Sequence, residues 1–312
     1  GTILTPALLS IQHFFASQSD SSSGDGDGDG NSSSGDMYTN GIYNADNPIY
    51  WTTWAISVMV GLLTNYVSLF KIDKKTLNYK LVYKETNKKA FYDSMQFWDD
   101  ENGIAVGDPT ANCMSIVLTK DGGNSWKKIA CENLPLAVEG EAAFAASNTN
   151  ISLVDQKVYI ATGGKEANIL IGSYYGKRWK KYKTPIIQGE KMTGIFSIDN
   201  LSMDTAIIAG GDWSAKQKIK KAMAITKDGG NSWQLIENNP GYTSCVQFIP
   251  KTKTLVACST TGIYYSNDFA ESWKKVSEEG YYTFRVSENG KYLYFSRENK
   301  LLTIEKSSLL RK

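Results

Sequence analysis

A chain of 312 residues, 41% hydrophobic and 12% aromatic, is long enough to bury a large core. Its formal net charge of +2 is too small to argue for nucleic acid, and a single histidine, His13, leaves no His-based triad and no multi-His metal centre. With 27 Gly, 18 Tyr, 11 Phe and 8 Trp, the composition suits many short strands and turns, and one all-β unit spanning 1–312 is expected.

The N-terminal part is atypical. Residues 1–70 contain no Lys, Arg or Glu, and Ser, Gly, Asp and Asn dominate up to Asp36, so 1–36 reads as a polar tail or an unusual start to the first repeat. Asp25, Asp27, Asp29 and Asp36 fall at positions 1, 3, 5 and 12 of an EF-hand-like calcium loop, with Gly30 at position 6. No helical pattern flanks them, position 12 is not Glu, and Ser32 fills the apolar slot, so no metal is expected there. The start has neither the basic region nor the cleavage site of a secretory signal, and Gly1 suggests a processed or engineered terminus. Residues 47–70 lack charge but are interrupted by Thr52, Thr53, Ser57, Thr64, Asn65 and Ser68. They read as two buried strands, 55–60 and 67–72, rather than a membrane span.

The rest of the chain cycles. Residues 103–107 (GIAVG), 158–163 (VYIATG), 206–210 (AIIAG) and 254–258 (TLVAC) read as the second strand of successive four-stranded units. The octamer TKDGGNSW stands at 119–126 and again at 226–233, and SNDFAESW at 266–273 is a looser copy. Asp accepts hydrogen bonds from backbone N–H groups just ahead of it, Gly permits positive φ, and Trp offers an apolar face to a neighbouring unit. Asp121, Asp228 and Asp268 are therefore expected to staple turns, and Trp126, Trp233 and Trp273 to wedge between units. Trp126, Trp179, Trp233 and Trp273 recur at about 40–55 residues, the period of a propeller blade. The turn before Trp179 is degraded, with Tyr174 in the Asp slot, and 71–79 is a weaker relic. A last unit spans 281–306. The count is seven blades, with six as the alternative.

Cys113 and Cys131 flank the first octamer, and Cys245 and Cys258 flank the turn at 251–253. Each pair can face across antiparallel strands, as a disulfide or as buried thiols.

The octamers resemble the Asp-box (BNR) repeats of sialidases, sortilin-type receptors and related propellers. More narrowly, the stretches 90–93 (AFYD), 97–99 (FWD), 103–109 (GIAVGDP), 140–147 (GEAAFAAS), 162–164 (TGG), 194–197 (GIFS), 210–212 (GGD) and 241–242 (GY) are similar to bacterial proteins of the photosystem II stability/assembly factor type. Members of that branch are often labelled oxidoreductase or glycosyl hydrolase. The resemblance implies a seven-bladed propeller, commonly exported, and hence an extracytoplasmic location.

In such blades the octamers occupy one face of the disc, and loops into strand one or out of strand two occupy the other. That second face collects Tyr92, Asp93, Asp108, Glu139, Glu141, Lys165, Asp212 and Tyr242 as candidate ligand-binding residues. With only Arg178, Arg285, Arg297 and Arg311, the chain lacks the arginine set that grips a sialidase substrate. Asp93, Asp108, Glu141 and Asp212 are the candidates for an acid and a base or nucleophile in a glycoside hydrolase. No phosphate-cradling Gly motif or haem or zinc Cys spacing is present, so no cofactor is expected. The favoured reading is a monomeric, non-catalytic binding or assembly propeller presenting this face to a protein or carbohydrate partner; the alternative is a glycoside hydrolase.

Overall fold

The structure, a computed structural model, describes residues 38–40, 57–59 and 67–309, apart from 74, 75, 77, 217–219, 288, 298 and 299. The acidic stretch holding Asp25, Asp27, Asp29 and Asp36 lies outside these residues. Nearly all the regular structure described is antiparallel strand, with only short helical turns. β1 (Tyr38–Asn40) pairs with β2 (Ser57–Met59), and β3 (Val67–Ile72) with β4 (Tyr79–Glu85). Five larger sheets follow in chain order. The first orders β5 (Tyr92–Phe97), β6 (Gly103–Gly107), β7 (Ser115–Thr119) and β8 (Lys127–Lys128). After β9 (Glu141–Ala142), the second orders β10 (Ile151–Val154), β11 (Lys157–Ala161), β13 (Asn168–Ser173) and β14 (Arg178–Lys183), with β12 (Gly163–Gly164) lying between β11 and β13 in sequence. The third is built on β15 (Thr193–Asn200), β16 (Ala206–Asp212), β17 (Met223–Thr226) and β18 (Gln234–Leu235). The fourth orders β19 (Cys245–Phe248), β20 (Leu255–Ser259), β21 (Gly262–Ser266) and β22 (Lys274–Ser277). The fifth has β23 (Thr283–Val286), β24 (Tyr292–Arg297) and β25 (Lys300–Glu305), ending in the short helix α1 (Lys306–Leu309). Apolar strands such as β6 and β11 are buried on both sides, because their sheets are covered by neighbouring sheets.

First strands pack on first strands: β5 meets β10, β10 meets β15, β15 meets β19, and β19 meets β23. Sheets arranged radially around their first strands form a β-propeller. The core is split accordingly into clusters between adjacent sheets. Trp126 packs with Val67 and Leu69, Trp179 with Ile104 and Ile116, Trp233 with Tyr159 and Ile169, and Trp273 with Ile207 and Ala209. Each tryptophan thus reaches into the preceding sheet.

The three octamer turns join third to fourth strands and share one hydrogen-bond scheme. Asp121 accepts from Thr119 Oγ1 (2.8 Å), Ser125 N (2.9 Å) and Ser125 Oγ (2.6 Å). Asp228 repeats this with Thr226 and Ser232, and Asp268 with Ser266 and Ser272. The donated bonds, the serine's first, hold the carboxyls of Asp228 and Asp268 down to about 2, and Asp121 is brought to about 2 against a desolvating effect. Two consecutive left-handed residues close each turn: Gly122 and Gly123, Gly229 and Gly230, then Phe269 and Ala270. The degraded turn before Trp179 keeps that backbone with Tyr174, Tyr175 and Gly176 at positive φ, although no Asp is present.

Candidate functional site

The face opposite the octamers is built where first strands begin and second strands end. Two of these junctions carry the same device. The register slips between Tyr92 and Ser94 on β5 and between Ile195 and Ser197 on β15, leaving Asp93 and Phe196 as the extra residues of β-bulges. The bulge brings the first-strand carbonyl so near the second strand that a Cβ on Gly107 would sit 1.9 Å from Phe91 O, and one on Gly210 1.9 Å from Gly194 O. Glycine is the residue that fits there.

Asp93, 1% exposed, has one oxygen, Oδ2, without a hydrogen-bond partner. Asp108 follows β6, accepts from Ala143 N (2.9 Å) through Oδ1, and lies close enough to Asp93 for their charges to interact. Burial, then the neighbouring Asp108 charge, pushes Asp93 well above the usual carboxylate range. Burial raises Asp108 to about 6 against the Ala143 N–H. The structure therefore brings two of the four candidate carboxylates together.

The other two have structural partners. Glu141, on β9, is buried and accepts from Thr162 Oγ1 (2.7 Å), Asn168 Nδ2 (3.0 Å), Val138 N (3.1 Å) and Lys181 Nζ (2.7 Å). Its oxygens are occupied in tying the loop before β9 to the second sheet. Asp212 ends β16 and accepts from Ser214 N (2.7 Å), capping the following loop. Lys165 is exposed and donates to Gly189 O (2.7 Å), Glu139 is exposed, and Tyr92 is buried with its hydroxyl 3.5 Å from that of Tyr83.

Tyr242 belongs to something larger. Phe144 stacks on Phe196 (centroids 4.1 Å apart), Phe196 meets the edge of Tyr242 (5.1 Å), Tyr242 meets Trp213 (5.6 Å), and Trp213 reaches Tyr282 (6.4 Å). The run starts at half-buried Phe144, next in sequence to the Ala143 that bonds Asp108, passes through buried Phe196 and Tyr242, and ends at half-buried Trp213 and Tyr282. Lys216 Nζ sits 4.0 Å over the Trp213 ring. The Tyr242 hydroxyl is fully buried without a partner. Leu136, Val138 and Met192 are exposed on loops of the same face, at 65%, 38% and 36%. Sequence reading missed Phe144, Phe196, Trp213 and Tyr282; the available signal was Trp213 directly after Asp212 and the two Phe within the stretches 140–147 and 194–197.

Among the described residues no group of three or more His, Cys, Asp or Glu could hold a metal, and no helix is long and apolar enough to cross a membrane.

A repeating, radially packed, Asp-turned chain of this kind defines the protein as a β-propeller. No protein-family model matches the chain, and no curated protein matches it in sequence. Solved structures are similar in fold. One belongs to a nidogen/laminin complex, at 13% identity over 83% of this chain and 88% of that chain, with a TM-score of 0.50. Another is the GH74 enzyme of Niastella koreensis, at 12% identity over 79% of this chain, with a TM-score of 0.50; the match spans only 44% of that enzyme's length. YCF48 from Cyanidioschyzon merolae matches at 16% identity over 70% of this chain and 67% of that chain, with a TM-score of 0.49.

Proposed function

We propose that this propeller is a non-catalytic binding or assembly protein that engages a protein or glycan partner through the face opposite its Asp turns. The observation that carries the reading is the aromatic run ending in Trp213 and Tyr282, capped by Lys216 and bordered by exposed Met192, whose carbonyl accepts from Trp213 N. Half-buried Trp and Tyr supply large contact area at low entropic cost, and a rigid propeller holds them in place. Two of the four candidate carboxylates are tied into structural contacts, which favours binding over hydrolysis. We take the turns as Asp boxes of the type the sequence resembles, and the five larger sheets with the two N-terminal hairpins as seven blades. A monomer in an extracytoplasmic compartment fits this reading, supported by the disulfide between Cys113 and Cys131.

The test places a photo-crosslinking residue at Met192 on this face or at Met203 on the octamer face, where exposure is comparable at 36% and 44%. Crosslinks to a partner in extracts of the producing cell are expected from position 192 and not from 203. Equal yields from both, or none from 192, would sink the proposal.

The aspartate pair favours a second reading, a glycoside hydrolase with Asp93 and Asp108 as acid and base. Turnover of an oligosaccharide panel that Asp108→Asn abolishes would establish it; no turnover removes it.

A further inference from the structure

The second sheet is the one whose third-to-fourth-strand turn has no Asp staple, since Tyr174 stands in that slot between β13 and β14. A different cluster spans the same two strands at their other end. Asn168 opens β13 opposite Lys183 of β14, and Lys181 pairs with Leu170. Because side chains alternate along a strand, Asn168 and Lys181 share one face as diagonal neighbours, within reach of a long side chain. Glu141 of β9 bonds both: Oε1 accepts from Asn168 Nδ2 (3.0 Å) and Oε2 from Lys181 Nζ (2.7 Å). Glu166 bridges the same two nitrogens through a single oxygen, Oε2, 3.0 Å from Asn168 Nδ2 and 3.4 Å from Lys181 Nζ. Asn168 and Glu141 are buried, at 1% and 3% exposure, and Lys181 is half-buried. The first sheet has the corresponding tie without an amide: Lys128 of β8 donates to Glu85 (2.5 Å) and to the Thr110 hydroxyl (3.2 Å).

An amine, a side-chain amide and a carboxyl that touches both are the two reactants and the acid–base catalyst of a transamidation. In water the two do not combine, because the amine is protonated and the amide carbon is a weak electrophile. The Glu141 carboxyl addresses both obstacles. It can take a proton from Lys181 Nζ, leaving a neutral amine, and that exchange turns two charges in a buried site into neutral groups. A half-turn of the Asn168 amide about Cβ–Cγ then presents Oδ1 to the acquired proton, which polarises the carbonyl and stabilises the charge that develops on its oxygen. Holding amine and amide on one carboxylate makes their encounter intramolecular. The burial of Asn168 excludes the water that would compete for its amide carbon.

We propose that Glu141 catalyses an isopeptide bond between Lys181 and Asn168, a covalent staple across the two strands whose Asp staple is missing. Lys181 Nζ bonds to Asn168 Cγ, and the carbonyl oxygen is held by the Glu141 proton while the carbon is tetrahedral. The Cγ–Nδ2 bond then breaks. The lysine ammonium gives up two protons in all, one through Glu141 and one through Glu166, and both end on the leaving nitrogen, which departs as ammonium. One ammonium and one primary amide thus become one secondary amide and one free ammonium ion. Nothing is oxidised or reduced, both carboxylates are regenerated, and no co-reactant is needed.

The test incubates the purified, folded chain, reduces its disulfide, and measures its intact mass by denaturing mass spectrometry before a tryptic digest. A chain lighter than its sequence by one ammonia is expected. Trypsin should fail to cut after Lys181 and should release a branched peptide joining residues 166–177 to 181–183. Lys128, tied to Glu85 with no amide beside it, should remain a free amine. Lys181→Arg keeps the ion pair, and Glu141→Gln keeps both reactants while removing the acid–base group. Both should have their full mass, with circular dichroism confirming their folds. An unsubstituted chain of full mass that is cut after Lys181 would overturn the proposal. So would an ammonia deficit without the branched peptide, since an asparagine cyclising on its own backbone loses the same mass. A link that survives in folded Glu141→Gln would overturn the catalytic role. If Glu141→Gln does not fold, the branched peptide in the unsubstituted chain and its absence from Lys181→Arg decide the matter.

Discussion

Asp199, near the end of β15, faces Cys245 and Arg285 and accepts Phe248 N (2.7 Å). Burial is the main cause that pushes its carboxyl up to about 7 from an ordinary 3.8. Between about pH 4 and 7, therefore, the folded chain holds a proton that the unfolded chain has released. By linkage, stability from this site falls as pH rises through that window and stays low above 7. An asparagine keeps an oxygen for Phe248 N–H but has no proton to lose. Asp199→Asn should therefore gain stability relative to the parent as pH rises from 4 to 7, then hold that gain. Urea midpoints at pH 4.5 and 8 check this; a difference that does not change with pH would refute it. The octamer aspartates behave oppositely, since their depressed carboxyls contribute stability above about 4 that is lost as pH falls toward 2.

Strands and turns are where the sequence was most legible. Apolar runs ending in glycine at 103–107 and 206–210 became β6 and the body of β16, and the octamers became third-to-fourth-strand turns, because both signals are local. The bulges opposite those glycines were not legible, since a bulge is a relation between two strands. Gly210→Ala would drive a Cβ into the Gly194 carbonyl and force β15 from β16, a loss of about 3 kcal/mol or more that thermal unfolding should register. The Cys113–Cys131 bond closes a separation of 18 residues around β7 and β8. In the chain-entropy account, a loop of that size is worth about 3 kcal/mol. Replacing both cysteines by serine should lower the urea midpoint by a corresponding amount, and dithiothreitol should reproduce the shift in the unsubstituted protein. If neither treatment moves the midpoint, the bond contributes nothing to stability.

Across the whole molecule, chain order alone placed Asp93 and Asp108 on one face, because both flank strand ends of a single sheet. The same logic put Glu141 among the candidates and could not reveal Lys181, forty residues on in sequence, which holds it in an ion pair. Trp213 and Tyr282 escaped notice for a related reason: their neighbours come from three different sheets, and only the packing of those sheets on one another brings them together. Packing of sheet on sheet also determines how the propeller should fail. No sheet buries both of its faces alone, and Trp233 is the wedge between the second and third sheets, packed with Tyr159 and Ile169. Truncating it to alanine removes about 2–3 kcal/mol, below the full cost of a wholly buried Trp because it is only half-buried. If the described sheets unfold as one cooperative ring, Trp233→Ala shifts the urea midpoint down and leaves the slope of the transition unchanged. A second transition or a shallower slope would mean instead that the second and third sheets part at this seam and that the propeller is a chain of semi-independent blades.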